Sequence, residues 1–240
     1  MPKYKKRGAI LVDTYDRLIN EMKAAKTRIN QMDPEEAQDL DELLYTPLED
    51  MVSVIQLQIH RLCMDSVPVY QLFTEGINGV DAVDTMKLIT YLKDIERFPT
   101  ISKIWKYSGF APVLYCKRCN KIKRFCYCEA PRYTAVAERQ SKGKAKSYNK
   151  DLKRALVSIG DRIILDDPYY RQAYYNYRTE EINKSEYLSP QHIHNRAKRK
   201  VIKLFVYHFV NAWRLTEGIP PLKPYMSLPA YKKVSGEEPN

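Results

Sequence analysis

The sequence predicts a mainly α fold: a coiled-coil-like antiparallel pair of N-terminal helices, then a larger helical domain carrying a small metal-binding loop. Three observations predict it. Apolar residues recur at i, i+3 and i+4 over several long segments, a glycine-bearing corner sits between two of them, and four of the five cysteines crowd between Cys116 and Cys128.

The first helix is expected over residues 9–32. Ile10, Leu11, Tyr15, Leu18, Ile19, Met22, Ala25 and Ile29 supply its apolar side; Asp13, Asp16, Arg17, Glu21, Lys23 and Lys26 supply its polar side. The preceding run MPKYKKRG reads as a basic, solvated arm. Asp33 offers an N-cap with Pro34 at the first position of the next segment. A short acidic patch then leads to a second amphipathic helix over residues 48–62. Two such helices fold back on each other or on a second subunit. His60 and Cys63 read as core filler or surface residues rather than ligands.

Ile77-Asn78-Gly79-Val80 makes the corner. Gly79 suits a positive φ, and a helix behind it, running through Met86, Leu88, Ile89 and Leu92, presents amide N–H groups to a phosphate. Asn78 and Gly79 are therefore candidate nucleic-acid contacts. Asp81 opposes that reading, because a carboxylate at such a turn repels DNA, and the corner serves equally well as a packing unit. Pro99 breaks the pattern, and Ile101, Ile104, Trp105 and Phe110 resume it on a short helix closed by Gly109.

The cysteine spacing is Cys-x2-Cys-x6-Cys-x-Cys. Two chelating pairs on a short, charged loop predict a structural zinc ion held by Cys116, Cys119, Cys126 and Cys128; reduced free thiols and, more distantly, an iron–sulfur cluster are the alternatives. Lys117, Arg118, Lys121, Lys123 and Arg124 alternate with the cysteines, favour their thiolates and are candidate phosphate contacts. Arg139, Lys142, Lys144 and Lys146 extend the basic strip into a loop, which either tracks a phosphate backbone or is simply exposed and solvated.

A helix is expected over residues 150–165, with Leu152, Leu156, Ile159, Ile163 and Ile164 inward and the cations Lys150 and Arg154 near its start. The run PYYRQAYYNYR from Pro168 packs a core edge in preference to stacking on bases. Ser189 caps a final helix that reaches about Thr216 and stops at Gly218. Its first half carries His192, His194, Arg196, Lys198, Arg199, Lys200 and Lys203, of which Arg196, Arg199 and Lys200 are the predicted phosphate contacts. Residues 204–213 are apolar and buried, and both histidines read as capping or hydrogen-bonding groups.

Forty Lys and Arg against 29 Asp and Glu give a net charge of +11, which points to a polyanion, most simply nucleic acid. An anionic membrane competes, but the sequence holds no run of about 18 apolar residues and no signal-peptide core, so a soluble intracellular protein is expected. Clustered cysteines also argue against a secreted disulfide framework.

The runs INGVDAVDT from Ile77, DIERFP from Asp94 and KIWKYSGFAP from Lys103 resemble the helix-hairpin-helix segment of the C-terminal domain of insertion-sequence-110 type transposases. That family shows I-P-G-I-G-P, then D-I-x-R-F-x-T, then Y-x-G-L-x-P. The likeness resumes at SYNKDLKRAL from Ser147 and at SPQHIHNRAKRKVIKLF from Ser189, and so spans residues 72–225 in the family's order. Asp81 stands where the family has the second glycine of its hairpin.

The resemblance implies DNA binding in recombination or transposition. It also implies a coiled coil that assembles an oligomer, here a homo-oligomer through the N-terminal helices. Residues 1–66 are then the helical hairpin, residues 67–225 the transposase-like domain with its zinc loop at 113–146, and residues 226–240 a tail. The family's RuvC-like domain, with four acidic metal ligands, has no expected counterpart: Asp13, Asp16, Glu35, Glu36, Asp39, Asp41 and Glu42 read as helix faces and caps. Ser141, in Ser141-Lys142-Gly143, is the nearest counterpart of the family's nucleophilic serine but lacks the adjacent glycine. The balance leans away from catalysis by this chain alone. A DNA-binding protein of prokaryotic or viral cytoplasm, associated with the nucleoid, is expected, with its cations gathered on one face. Two alternatives stay open: a serine recombinase subunit needing a separate RuvC-like partner, and a structural DNA- or RNA-binding protein without sequence preference. Whether a guide RNA takes part is also open.

Overall fold

Apolar spacing near the helical period becomes helix through most of the chain, as a computed structural model describing residues 3–137, 147–184 and 188–223 shows. The fold is mainly helical, with a long N-terminal helix pair and one short two-stranded sheet among the described residues. It divides into two compact units, Met1–Asp94 and Ile95–Asn240. The division falls after Asp94 and not near residue 66, because the helix behind the glycine corner packs on the N-terminal pair.

In the first unit α1 (Lys3–Ile29) and α3 (Thr46–Ser66) run antiparallel, joined by α2 (Pro34–Leu40) and a π turn at Asp41–Tyr45. Gln56 Nε2 donates to Tyr15 OH at 3.5 Å, and Lys26 Nζ pairs with Asp41 at 2.8 Å across the turn. After α4 (Pro68–Leu72), α5 (Ala82–Leu92) lies on both long helices. Val12, Ala25, Ile29, Val52, Ile59, Leu62, Cys63, Met86, Leu88, Ile89 and Leu92 are buried, each large side chain contributing about 1.5–3 kcal/mol. Gly8 is what lets α1 approach α5: a Cβ there would collide with the Met86 sulfur.

Three expectations change here. The basic arm is helical from Lys3, and Lys5 is buried. The apolar face of α1 runs through Lys5, Gly8 and Val12, leaving Ile10 69% exposed, because the close Gly8–Met86 contact sets the helix rotation. The acidic segment before α3 is helical from Pro34, as the placement of Asp33 and Pro34 predicts. Asp33 holds the N-cap position with extended backbone but makes no side-chain cap bond.

The second unit contains α6 (Ile101–Tyr107), strands β1 (Pro112–Cys116) and β2 (Tyr133–Ala137), and helices α7 (Lys150–Asp166), α8 (Pro168–Lys184) and α9 (Pro190–Thr216). Its caps were written locally. Asn149 Oδ1 accepts from the amides of Asp151 and Leu152 at 3.0 Å, Asp167 Oδ1 from those of Tyr169 and Tyr170 at 2.9 and 3.1 Å, and Ser189 Oγ from His192 at 3.4 Å. Gly109 (φ 73°) and Gly218 (φ 71°) end α6 and α9 with the paired amide–carbonyl bonds of a Schellman turn. Helix α9 is central, burying Val201, Leu204, Phe205, Phe209, Val210 and Trp213 against α7 and α8. Gly160 sets the α7–α9 spacing, since a Cβ there would stand 2.5 Å from Ile202 Cγ1.

Tyr170, Tyr174 and Tyr177 are buried while Tyr169 and Tyr175 face solvent, which is the core-edge arrangement expected of this segment. Tyr170 OH lies 3.0 Å from His208 Nδ1, and His194 and His192 hydrogen-bond to Tyr174 OH and Ser189 Oγ. No helix among the described residues is long and apolar enough to cross a membrane.

Burial pushes the His208 imidazole from the ordinary 6.5 down to about 4. The unfolded chain therefore binds a proton there before the folded one does. Stability contributed by neutral His208 is full above the unfolded value and is lost as pH falls from about 6.5 toward about 4. Urea titrations across that window are expected to show a loss of about 1–3 kcal/mol that His208→Phe removes; an unchanged pH slope in the variant would refute the assignment.

Candidate metal centre and cationic surface

The cysteine loop is built from a turn at each end. Strand β1 delivers Cys116 opposite Tyr133 of β2. The chain then reverses through Asn120, whose positive φ of 54° allows its amide to bond the Cys116 carbonyl at 2.9 Å while the Cys116 amide bonds the Lys121 carbonyl at 2.8 Å. That reversal folds Cys119 back beside Cys116. A 3₁₀ turn at Lys123–Phe125 follows, and the Cys126 amide bonds the Lys123 carbonyl at 3.2 Å.

The four sulfurs lie within 4.8 Å of one another. Cys116 and Cys128 are 3.9 Å apart and Cys119 and Cys126 3.7 Å apart. Four thiolates about 2.3 Å from one tetrahedral ion sit about 3.8 Å from each other, so the donor set fits a single metal ion. These separations also leave the thiols unlinked. Amide N–H groups of Cys119 and Arg118 point at the Cys116 sulfur and, the Cys119 amide foremost, bring its thiol down to about 6. Cys128 faces the Cys119 and Cys126 sulfurs and is pushed up to about 12. Only a cation lets all four ionise together.

Lys117, Arg118, Lys121 and Lys123 surround this cluster, all exposed and without a carboxylate partner among the described residues. Lys123 Nζ lies 5.4 Å from the Tyr133 ring centre. Sequence reasoning missed the aromatics between the cysteines: Phe125 is half exposed and Tyr127 is 91% exposed. The interleaving in RFCYC was the available signal.

The other predicted contacts separate into groups. The Arg124 side chain and residues 138–146, with Arg139, Ser141, Lys142, Lys144 and Lys146, lie outside the described residues. Lys150 is exposed at the start of α7, and Arg154 pairs with Asp151 at 3.3 Å. On α9, Lys200 bonds Glu180 at 2.9 Å and Glu181 at 2.7 Å, Arg196 reaches Glu181 at 3.3 Å, and Lys198 pairs with Asp161. Burial alone would push the Glu181 carboxyl up, but Lys200, Arg196 and Lys184 together hold it below its ordinary value. These cations are spent inside the fold. Arg199 points the other way, donating to the Phe110 carbonyl at 3.3 Å.

Asn78 and Gly79 belong to the first unit. Gly79 has the expected positive φ of 87°. Behind it Asp81 Oδ1 accepts from the Asp84 amide at 2.7 Å and Asp84 Oδ2 from the Asp81 amide at 3.3 Å, a capping box that puts two carboxylates at the start of α5. The turn that suited a phosphate is closed by the chain's own acids.

No protein-family model matches the chain, and no curated protein matches it.

Replacing Cys126 with serine removes one of four thiolates. Elemental analysis is expected to find one metal ion per chain in the native protein and a small fraction of that in Cys126→Ser, with the 112–137 segment becoming protease-sensitive. Full metal content in the variant would dismiss the centre.

Proposed function

We propose that this protein binds nucleic acid, DNA before RNA, through a zinc-clamped basic loop, in a role related to transposition or recombination. The observation that carries the reading is the loop itself: four sulfurs at tetrahedral spacing fix a short segment whose Lys117, Arg118, Lys121 and Lys123 lack acidic partners among the described residues and whose Tyr127 stands almost fully in solvent. Uncompensated cations release counterions when they meet phosphates, and an exposed aromatic ring offers a stacking face for a base. Zinc suits the all-thiolate set better than harder divalent ions do. The net charge of +11 and the sequence resemblance to the transposase C-terminal domain supply the context.

Fluorescence anisotropy with labelled DNA and RNA across a salt series tests this. Lys117→Ala combined with Lys121→Ala is expected to weaken binding about tenfold or more and flatten the salt slope by about 2. Tyr127→Ala is expected to weaken single-stranded binding selectively, by about 1–3 kcal/mol. Absence of any affinity at low salt would refute the function.

The same reading includes self-association through α3. Met51, Val54, Leu57 and Met64 form an exposed apolar stripe on its outer side. A second copy laid antiparallel on that stripe, with the two-fold axis between Val54 and Leu57, sets Val54 against Leu57 and Asp50 against Arg61, each twice. Both charged residues are exposed and unpaired among the described residues. Arg61→Asp is expected to dissociate the dimer in light scattering, and Asp50→Arg with Arg61→Asp to restore it. A native chain monomeric at micromolar concentration would exclude the pairing.

A further inference from the structure

The geometry points to a discrete oxyanion site in the second unit, formed by Arg199 and Lys203 of α9 beside Trp105 and the start of α7, and suited in charge to a phosphodiester phosphate. It deepens the nucleic-acid reading and rests on it for the identity of the ligand.

Arg199 and Lys203 are one helical turn apart and half-buried. The Arg199 guanidinium lies 5.7 Å from the Phe110 ring centre and donates to the Phe110 carbonyl at 3.3 Å. Lys203 Nζ lies 4.8 Å from the Trp105 ring centre, and Trp105 Nε1 donates to the Lys203 carbonyl at 3.3 Å, tying α6 to α9. Next to Phe110, a Cβ at Gly109 would stand 2.9 Å from the Tyr148 ring and 3.0 Å from the Lys153 side chain, whose Nζ lies 4.3 Å from the Tyr148 ring centre. Asn149, the N-cap of α7, is fixed here by its amide bond to the Tyr107 carbonyl at 2.8 Å.

Charge makes this place unlike its neighbours on the same helix. Glu180, Glu181 and Asp161, which α8 and α7 bring to the basic half of α9, are occupied by Lys200, Arg196, Lys184 and Lys198. Neither Arg199 nor Lys203 has a carboxylate partner among the described residues. Burial foremost, then the charges of Arg199 and Lys200, draws the Lys203 ammonium down to about 8, and burial also lowers Arg199. Ring faces offset only part of the cost of two desolvated like charges. A phosphate between them supplies the counter-charge the fold withholds.

The test uses the full chain. Arg199→Met and Lys203→Met are each expected to weaken oligonucleotide binding about fivefold or more and to lower the salt slope by about 1, whereas Lys198→Met, whose ammonium is held by Asp161, leaves the slope unchanged. Inorganic phosphate titrated into the native protein is expected to shift the Lys203 side-chain ammonium signal by nuclear magnetic resonance, which keeps the test valid if either variant fails to fold. Loss of binding in the metal-loop variants with native binding in Arg199→Met and Lys203→Met, and no phosphate response, overturns this site and leaves the function standing. A phosphate response in a chain that binds no oligonucleotide overturns the function and keeps an anion site. A chain that responds to neither refutes both.

Discussion

The second unit depends on enclosing one helix. The C-terminal half of α9 is apolar on nearly every side, so α7 and α8 must both lie against it, and Gly160 lets α7 come close enough to seat Ile202. Once that half is fixed, the rotation of the polar half is fixed too. Its cations cannot choose their neighbours: one row is delivered to Glu180, Glu181 and Asp161, the other to the aromatic rings of Trp105 and Phe110. A packing requirement thus sorts the basic half of the helix into internal struts and a remainder without carboxylate partners among the described residues, and the proposed anion site lives on the remainder.

Much of this was legible in the chain. Helices α3 and α7 follow from period, and α6 and α9 from period and caps, because Ser189, Gly109 and Gly218 act through backbone geometry within a few residues of themselves. The cysteine centre was legible for the same reason, since ligand spacing is a local property. What could not be read depends on distant partners. Ile10 looks like core until Gly8 meets Met86 and turns α1 away from it. Arg196, Lys198, Arg199 and Lys200 look alike in sequence, yet only the three-dimensional placement of Glu180 and Glu181 on α8 and Asp161 on α7 separates the ion-paired from the unpaired. The unit boundary after Asp94 likewise follows from where α5 packs and not from composition.

The metal loop and the helical core divide labour. Strands of five residues each, joined through a segment dense in Lys and Arg, bury too little to hold themselves together. Four sulfurs close enough to share one ion would, with that ion bound, replace the missing core and offset the surrounding positive charge, since the thiolates carry the opposite sign. The segment can then project its cations and Tyr127 outward without unfolding under their mutual repulsion.

The seat of Met86 on Gly8 has an oxidative corollary. The thioether is fully buried at the crossing of α1 and α5, so close to Gly8 that a Cβ there would collide with the sulfur, and a sulfoxide oxygen would wedge the two helices apart. Burial shields the sulfur while the crossing holds, and each transient opening exposes it. Damage there would convert a reversible breathing motion into a lasting one, mendable by a sulfoxide reductase only while the helices stay parted.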